Sequence, residues 1–284
     1  MAVLDLRDTR YGSGAILLCH PGGPGLAPQY VDSLAGLADT GRQVVLLHPR
    51  GTGDSPRPAD PQAYAIGQYA DDTAAWIRRH GDGPVDLLGH SHGGLVAARV
   101  AAEHPELVRR LILLGVPAYG GERAEAEADR LHHARLAEPA CAAALAALRA
   151  QGDDYPSEPE LGRLIADVVP LWLGPMNERI RRWQAQMAVQ PANVHALRYF
   201  NEEVFPALDD VLKDVGRVTC PILAITGDLD GWAGPSHLHE FEKAAHSVRT
   251  VTITQSGHMC QVDAEEAVNS AIADFLDDQP VPHN

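Results

Sequence analysis

Aromatic residues are scarce in this chain. Four Phe, four Trp and seven Tyr make up 5% of 284 residues. With abundant Ala, Gly and Pro, that is a compositional bias and not a sign of disorder, because the hydrophobic fraction of 45% is ordinary for a globular protein. Basic residues are also few: 23 Lys and Arg face 38 Asp and Glu, giving a formal net charge of -15. Such a surface repels nucleic acid and anionic membranes. Cysteine occurs only at Cys19, Cys141, Cys220 and Cys260, with no C-x-x-C pair. Free core thiols are expected, not a disulfide framework. No apolar run approaches the roughly 18 residues of a membrane span. The opening MAVLDLRDTRYGSGA lacks the basic segment and apolar core of a signal peptide. A cytoplasmic location is the expectation. Neither G-x-x-x-x-G-K-[ST] nor G-x-G-x-x-G is present, so no phosphate-binding cofactor is expected. His237-x-His239 has no third ligand in view and reads as a helix surface, so no metal is expected either.

What is present is a strand, loop and helix alternation. Val3 to Leu6 reads as a short strand, and Gly12-Ser13-Gly14 as a turn. Buried strands follow at Ala15–Cys19, Gln43–Leu47, Val85–Leu88 and Val108–Leu114, with helices expected over Gln29–Ala38 and Ile66–His80. Continuous apolar strands separated by helices indicate a parallel sheet covered on both faces. From Pro117 to about Gly216 no strand is legible, only helical stretches rich in Ala, Glu and Arg. Strands then resume at Pro221–Thr226 and Val248–Ile253, and a last amphipathic helix covers Asp263–Leu276. The expected organisation is an α/β core over 1–116 and 217–284, with a helical cap over 117–216 inserted between two strands. The polar tail DDQPVPHN is expected to be loose.

The most informative stretch is VDLLGHSHGGLVAARV, Val85 to Val100. A strand that turns at once into a helix through G-x-S-x-G puts Ser91 at the apex of a tight bend. Gly89 and Gly93 leave room across it, and the helix N-terminus faces the hydroxyl. A serine needs a base in contact, and the base needs an orienting acid. Two strand ends supply them: Asp230 after PILAIT and His258 after the last strand. Asp228 is the nearest rival to Asp230, and Asp86 a weaker one. His90 and His92 flank the serine but point elsewhere. His20 and His48 are expected in structural hydrogen bonds, His132-His133 as a surface pair, and Arg50 paired with Asp54.

An oxyanion beside Ser91 would need two backbone N–H donors. One is expected from His92. The other is expected from Gly22 or Gly23, in the loop His20-Pro21-Gly22-Gly23-Pro24-Gly25. In the helical insertion, Trp172, Met176, Trp183, Tyr199 and Phe200 are candidates to line a pocket. Trp232 and Met259, beside the acid and the base, join them.

The order Ser91, Asp230, His258 and the strand–elbow–helix context resemble the α/β-hydrolase superfamily over nearly the whole chain. HPGGPG is similar to the HGGPG of proline iminopeptidase-type hydrolases. HPRGTGDS resembles their DxRGxGxS, with His48 in place of the aspartate, and LRYFNEE from Leu197 resembles their HYF segment. GHSHGG departs from their GGSWG elbow. Their amine-binding glutamate maps near Ala196, which leaves Glu202 and Glu203 as candidates to replace it. The resemblance implies an α/β-hydrolase fold with a cap, and a core whose first strand or two is reduced. It also implies a cofactor-free serine hydrolase acting on a small-molecule or short peptide ester or amide through an acyl-enzyme. An iminopeptidase-like aminopeptidase, a thioesterase or C–C bond hydrolase, and a non-catalytic binding protein on the same scaffold remain open alternatives.

Overall fold

A computed structural model describes residues 2–151, 157–208 and 210–278. In chain order the elements are β1 (Arg7–Gly12), β2 (Ala15–His20), a 3-10 helix (Pro28–Thr40), β3 (Arg42–His48), α1 (Ile66–His80), β4 (Val85–His90), α2 (His92–Glu103) and β5 (Val108–Leu114). Six helices follow: α3 (Gly121–Ala134), α4 (Pro139–Gln151), α5 (Glu158–Val168), α6 (Glu178–Met187), α7 (Val194–Tyr199) and α8 (Asp210–Val215). The chain then returns through β6 (Ile222–Gly227), α9 (Pro235–Ala244), β7 (Val248–Ile253), α10 (Cys260–Asp263) and α11 (Glu265–Asp277). Among the described residues no helix is long and apolar enough to cross a membrane. The end of the tail, 279–284, lies outside them.

Among the described residues seven strands form one sheet in the order β1-β3-β2-β4-β5-β6-β7. All neighbours are parallel except β1, which runs antiparallel to β3 at the edge. The strand expected at Val3–Leu6 instead begins at Arg7. The reason is competition from side chains. Leu4 N–H donates to Asp72 Oδ1 at 2.7 Å and Arg7 N–H to Ser55 Oγ at 2.8 Å, so this backbone is satisfied outside the sheet. The strand itself, RDTRYG, is a charged edge strand, which discourages pairing with another chain and carries no apolar signal.

Two apolar layers sandwich the sheet. On one face α1, α2 and α9 pack through Trp76, Ile77, Val96, Val100 and Phe241. On the other, the 3-10 helix and α11 pack through Tyr30, Leu34, Ile272 and Phe275. The helix α8 joins the first layer: Val211 and Val215 are buried there, and Asp214 Oδ2 accepts from Arg99 Nε of α2 at 2.6 Å. The last part of the segment 117–216 therefore packs on the core.

One buried ion pair fixes the β3 loop, and it differs from expectation. Arg50 pairs with Asp72, Nε to Oδ2 at 2.8 Å, and its NH1 donates to Ala63 O at 2.8 Å. Both side chains are fully buried, whereas Asp54 is exposed and faces His48. Asp54 sits on a turn that points to solvent, so it cannot satisfy a guanidinium beneath the loop.

Candidate active site

Strand β4 lies at the centre of the sheet and runs directly into Ser91, whose backbone sits at φ 53°, ψ -124°. A side chain rarely adopts that region, and the surroundings hold it there. Ser91 N–H donates to Leu114 O at 2.9 Å, and Gly94 N–H donates to Ser91 O at 2.8 Å. The flanking glycines are obligatory by contact. A Cβ on Gly89 would lie 2.3 Å from Gly93 O, and one on Gly93 would lie 2.2 Å from His20 O. The second contact also shows why the β2 loop meets the elbow: β2 pairs with β4, with His20 opposite Gly89.

The carboxyl ends of β4, β6 and β7 converge on one edge of the sheet. There His258 Nε2 lies 2.9 Å from Ser91 Oγ, and His258 Nδ1 lies 2.9 Å from Asp230 Oδ2. Asp230 Oδ1 accepts from Trp232 N–H at 2.8 Å and Ala233 N–H at 2.9 Å. Burial pushes the Asp230 carboxyl up, but the His258 ring and those two N–H groups outweigh it and hold the carboxyl below its ordinary value. Asp230 is thus an anion, so His258 Nδ1–H donates to it and Nε2 is free to accept the Ser91 proton. Neither rival carboxylate reaches the ring. Asp228 accepts from Ser256 N–H at 3.2 Å. Asp86 lies at the start of β4, at the opposite edge of the sheet, paired with Arg109 at 2.6 Å.

A second hydrogen-bonded chain runs beneath these residues. Gly22 N–H donates to Tyr30 Oη, which lies 2.7 Å from His90 Nδ1, and His90 Nε2 lies 3.0 Å from the His258 carbonyl. The carbonyl can only accept, so the proton of His90 is on Nε2, and Nδ1 accepts from Tyr30. Burial, with His258 nearby, lowers His90 to about 3, so the ring is neutral. The Gly22 N–H is therefore committed to Tyr30 and cannot also serve as an oxyanion donor. Gly23 lines the cavity beside Ser91, and His92 N–H opens α2, where a helix has no internal acceptor for it.

Ser91 and His258 open into a cavity of about 640 Å³ between the sheet edge and helices α4, α5 and α7. Trp172, Phe200, Trp232 and Met259 line it. Five other candidates do not. Trp183 is buried against the sheet side of the molecule, its indole N–H donating to Tyr30 O at 3.2 Å. Met176 packs in the same layer. Tyr199 turns its hydroxyl to Gln62 at 3.4 Å. Glu202 and Glu203 are exposed on a π-helical turn and do not line the cavity. The sequence reading favoured aromatics and missed the aliphatic wall from α5. Leu161, Leu164, Ile165 and Val168 fall at i, i+3, i+4 and i+7, and that amphipathic stripe was available as a signal.

Two histidines are placed differently from expectation. His132 is buried beneath Gly231 and Trp232, while its neighbour His133 is exposed. The α3 helix turns one residue of the pair inward and the next outward, as its 3.6-residue period requires. His237 is not on a surface: its Nδ1 accepts Ala118 N–H at 3.0 Å, and Tyr119 stacks on its ring at 3.9 Å. Among the described residues no group of three His, Cys, Asp or Glu could hold a metal ion.

The family model for the alpha/beta hydrolase fold matches residues 15–265. This chain belongs to that family. The protein provisionally named carbamate hydrolase RutD from Variovorax paradoxus is 27% identical over 278 residues, spanning 93% of this chain and 92% of its own length. Among solved structures, a proline iminopeptidase from Mycobacterium smegmatis superposes with a TM-score of 0.73 at 23% identity, over 96% of this chain and 94% of its own. An esterase from Thermogutta terrifontis does so with a TM-score of 0.72 at 20% identity, over 96% and 93%. At those identities the two structures speak for the fold. Within the family, the antiparallel β1 and six parallel strands place the elbow of this chain on its central strand.

Proposed function

We propose that this alpha/beta hydrolase is a serine hydrolase that cleaves a small-molecule or short peptide ester or amide through an acyl-enzyme. One observation carries the reading. Ser91 Oγ, His258 and Asp230 are linked by two contacts of 2.9 Å at the end of an apolar cavity. His258 takes the Ser91 proton as Oγ attacks the carbonyl carbon, and Asp230 stabilises the imidazolium that forms. The oxyanion is met by the N–H groups of His92 and Gly23, each worth about 2.7–4 kcal/mol in the transition state. His258 then protonates the leaving group. Water, deprotonated by the same ring, releases the acyl group and restores Ser91. The segment 117–216 acts as a cap through its earlier part, where α4, α5 and α7 close the cavity over the serine.

Ser91→Ala tests the reading. The variant should fold, lose hydrolysis of p-nitrophenyl esters, and lose labelling by a fluorophosphonate. Retention of both activities would exclude Ser91 as nucleophile. The aminopeptidase alternative is not favoured, because Glu202 and Glu203 lie off the cavity and no carboxylate stands among its described lining. A free amine should therefore bring no advantage: N-blocked aminoacyl nitroanilides should react faster than their free-amine forms, whose ammonium would meet no carboxylate on the cavity wall.

A further inference from the structure

The cavity wall is chemically one-sided. Among the described residues that line it there is no Asp, Glu, Lys or Arg. Helices α4 and α5 contribute only aliphatic side chains, and α7 with the turn after it adds Leu197, Phe200 and Phe205. Apart from Ser91 and His258, the polar side chains on the wall are His90, Asn201 and the indoles of Trp172 and Trp232. Burial keeps His90 neutral, with both its ring nitrogens already engaged by Tyr30 and the His258 carbonyl. A carboxylate or ammonium on a substrate would leave water here and find no opposite charge, which is a heavy desolvation cost without repayment. An alkyl group would replace water against a wall that is mostly carbon.

We propose that the site takes uncharged substrates whose non-reacting part is an apolar group of medium-chain size, and rejects substrates with an ionised group on that part. This rests on the serine hydrolase reading above. A volume of about 640 Å³ is that of a small-ligand pocket and has room for such a chain beside the scissile bond. It also separates this chain from enzymes that hold a substrate by its free amine, since the acidic pair near Tyr199 faces solvent.

Symmetrical di-n-alkyl p-nitrophenyl phosphates, from methyl to hexyl, test it on the intact protein. Ser91 Oγ forms a bond to phosphorus, the bond to the nitrophenolate oxygen breaks, nitrophenolate leaves, and His258 holds the serine proton. Both arms lengthen together, so either side of the site can receive the chain. Matched probes carry a terminal carboxylate or trimethylammonium on each arm. The second-order rate of nitrophenolate release should rise about fourfold per methylene, equivalent to ~0.8 kcal/mol, until the cavity fills. A terminal charge of either sign should lower it at least 100-fold relative to the neutral probe of equal length. Charged probes that react as fast as neutral ones, or rates indifferent to chain length, would overturn the inference and leave the serine hydrolase reading intact. If no probe reacts with wild type any faster than with Ser91→Ala, the serine hydrolase reading itself fails and this inference falls with it.

Discussion

Replacing Asp230 by Asn is the most searching single test of the site, because it turns one acceptor oxygen into an NH2 donor and removes the charge with almost no change in volume. Asp230 Oδ1 accepts two backbone N–H groups, from Trp232 and Ala233, while Oδ2 faces His258 Nδ1. An amide can put its oxygen on only one of these sides. Turned toward the two N–H groups, it leaves one NH2 against one ring nitrogen. Turned the other way, it sets its NH2 against two buried donors. Two unsatisfied donors cost more than one re-protonated ring, so the first orientation wins. His258 must then accept at Nδ1 and carry its proton on Nε2, pointing at Ser91. A ring in that tautomer cannot take the serine proton. A tautomer error of this kind costs other triads about 10⁴-fold, or roughly 5.4 kcal/mol of barrier. The assay is kcat/KM on any p-nitrophenyl ester the wild type accepts, alongside thermal unfolding. The folded pKa of Asp230 is depressed. Its ionisation therefore stabilises the fold above the unfolded value of about 3.9, a contribution lost as pH falls through the folded value. The Tm deficit of Asp230→Asn should accordingly shrink toward acid pH. A variant that folds normally and keeps more than a tenth of wild-type kcat/KM would refute the assignment of Asp230 as the orienting acid.

Tyr30→Phe removes the hydroxyl that joins Gly22 to His90, so the glycine loop after β2 and the His258 loop lose a shared tether. It should lower kcat about tenfold with little change in KM, while His90→Gln, which can still accept and donate, should lose less than His90→Leu. Equal losses in the two His90 variants would argue against the tether. Arg50→Met strips the partner from fully buried Asp72 and should destabilise the fold by about 3–5 kcal/mol, with much of the loss recovered in Arg50→Met/Asp72→Leu. Chemical denaturation measures both. Burial raises Asp263 to about 6, against the opposing pull of the Gly257 and Gly174 N–H groups. A raised carboxyl destabilises the fold as pH climbs from the unfolded value toward that of the fold. Asp263→Asn should therefore gain Tm at pH 7 relative to wild type and little at pH 4. A gain that is the same at both values would place the effect elsewhere.

Local rules carried the core of this protein. The strands at Ala15, Gln43, Val85 and Pro221 are near-continuous apolar runs, and so is the second half of the strand at Val108; burial on both faces of a parallel sheet leaves that mark in any one-dimensional reading, whereas edge strand β7 (VRTVTI) shows only its β-branched residues. The serine bend was equally visible, because a strand-to-helix reversal demands glycine at two fixed offsets, and Gly89 and Gly93 stand there. The two candidate partners of Ser91, Asp230 and His258, were legible as residues just past two later strands. Edge strand β1 was not, since it is polar and its start is set by side-chain bonds from Asp72 and Ser55.

Tertiary structure alone decided which residues share the cavity and which partner each buried charge takes. Trp183 and Trp172 look alike in sequence, yet one helix face turns Trp183 toward Tyr30 while Trp172 meets the serine pocket. Arg50 has an aspartate four residues away and another on α1, and only the packing of α1 beneath the loop selects Asp72. Gly22 and Gly23 are adjacent and identical, and the Tyr30 hydroxyl, brought by a separate helix, tells them apart. In each case the deciding contact depends on how one element packs against another, whether the partner is 8, 22 or 153 residues away, and periodicity and motif spacing within a single element could not supply it.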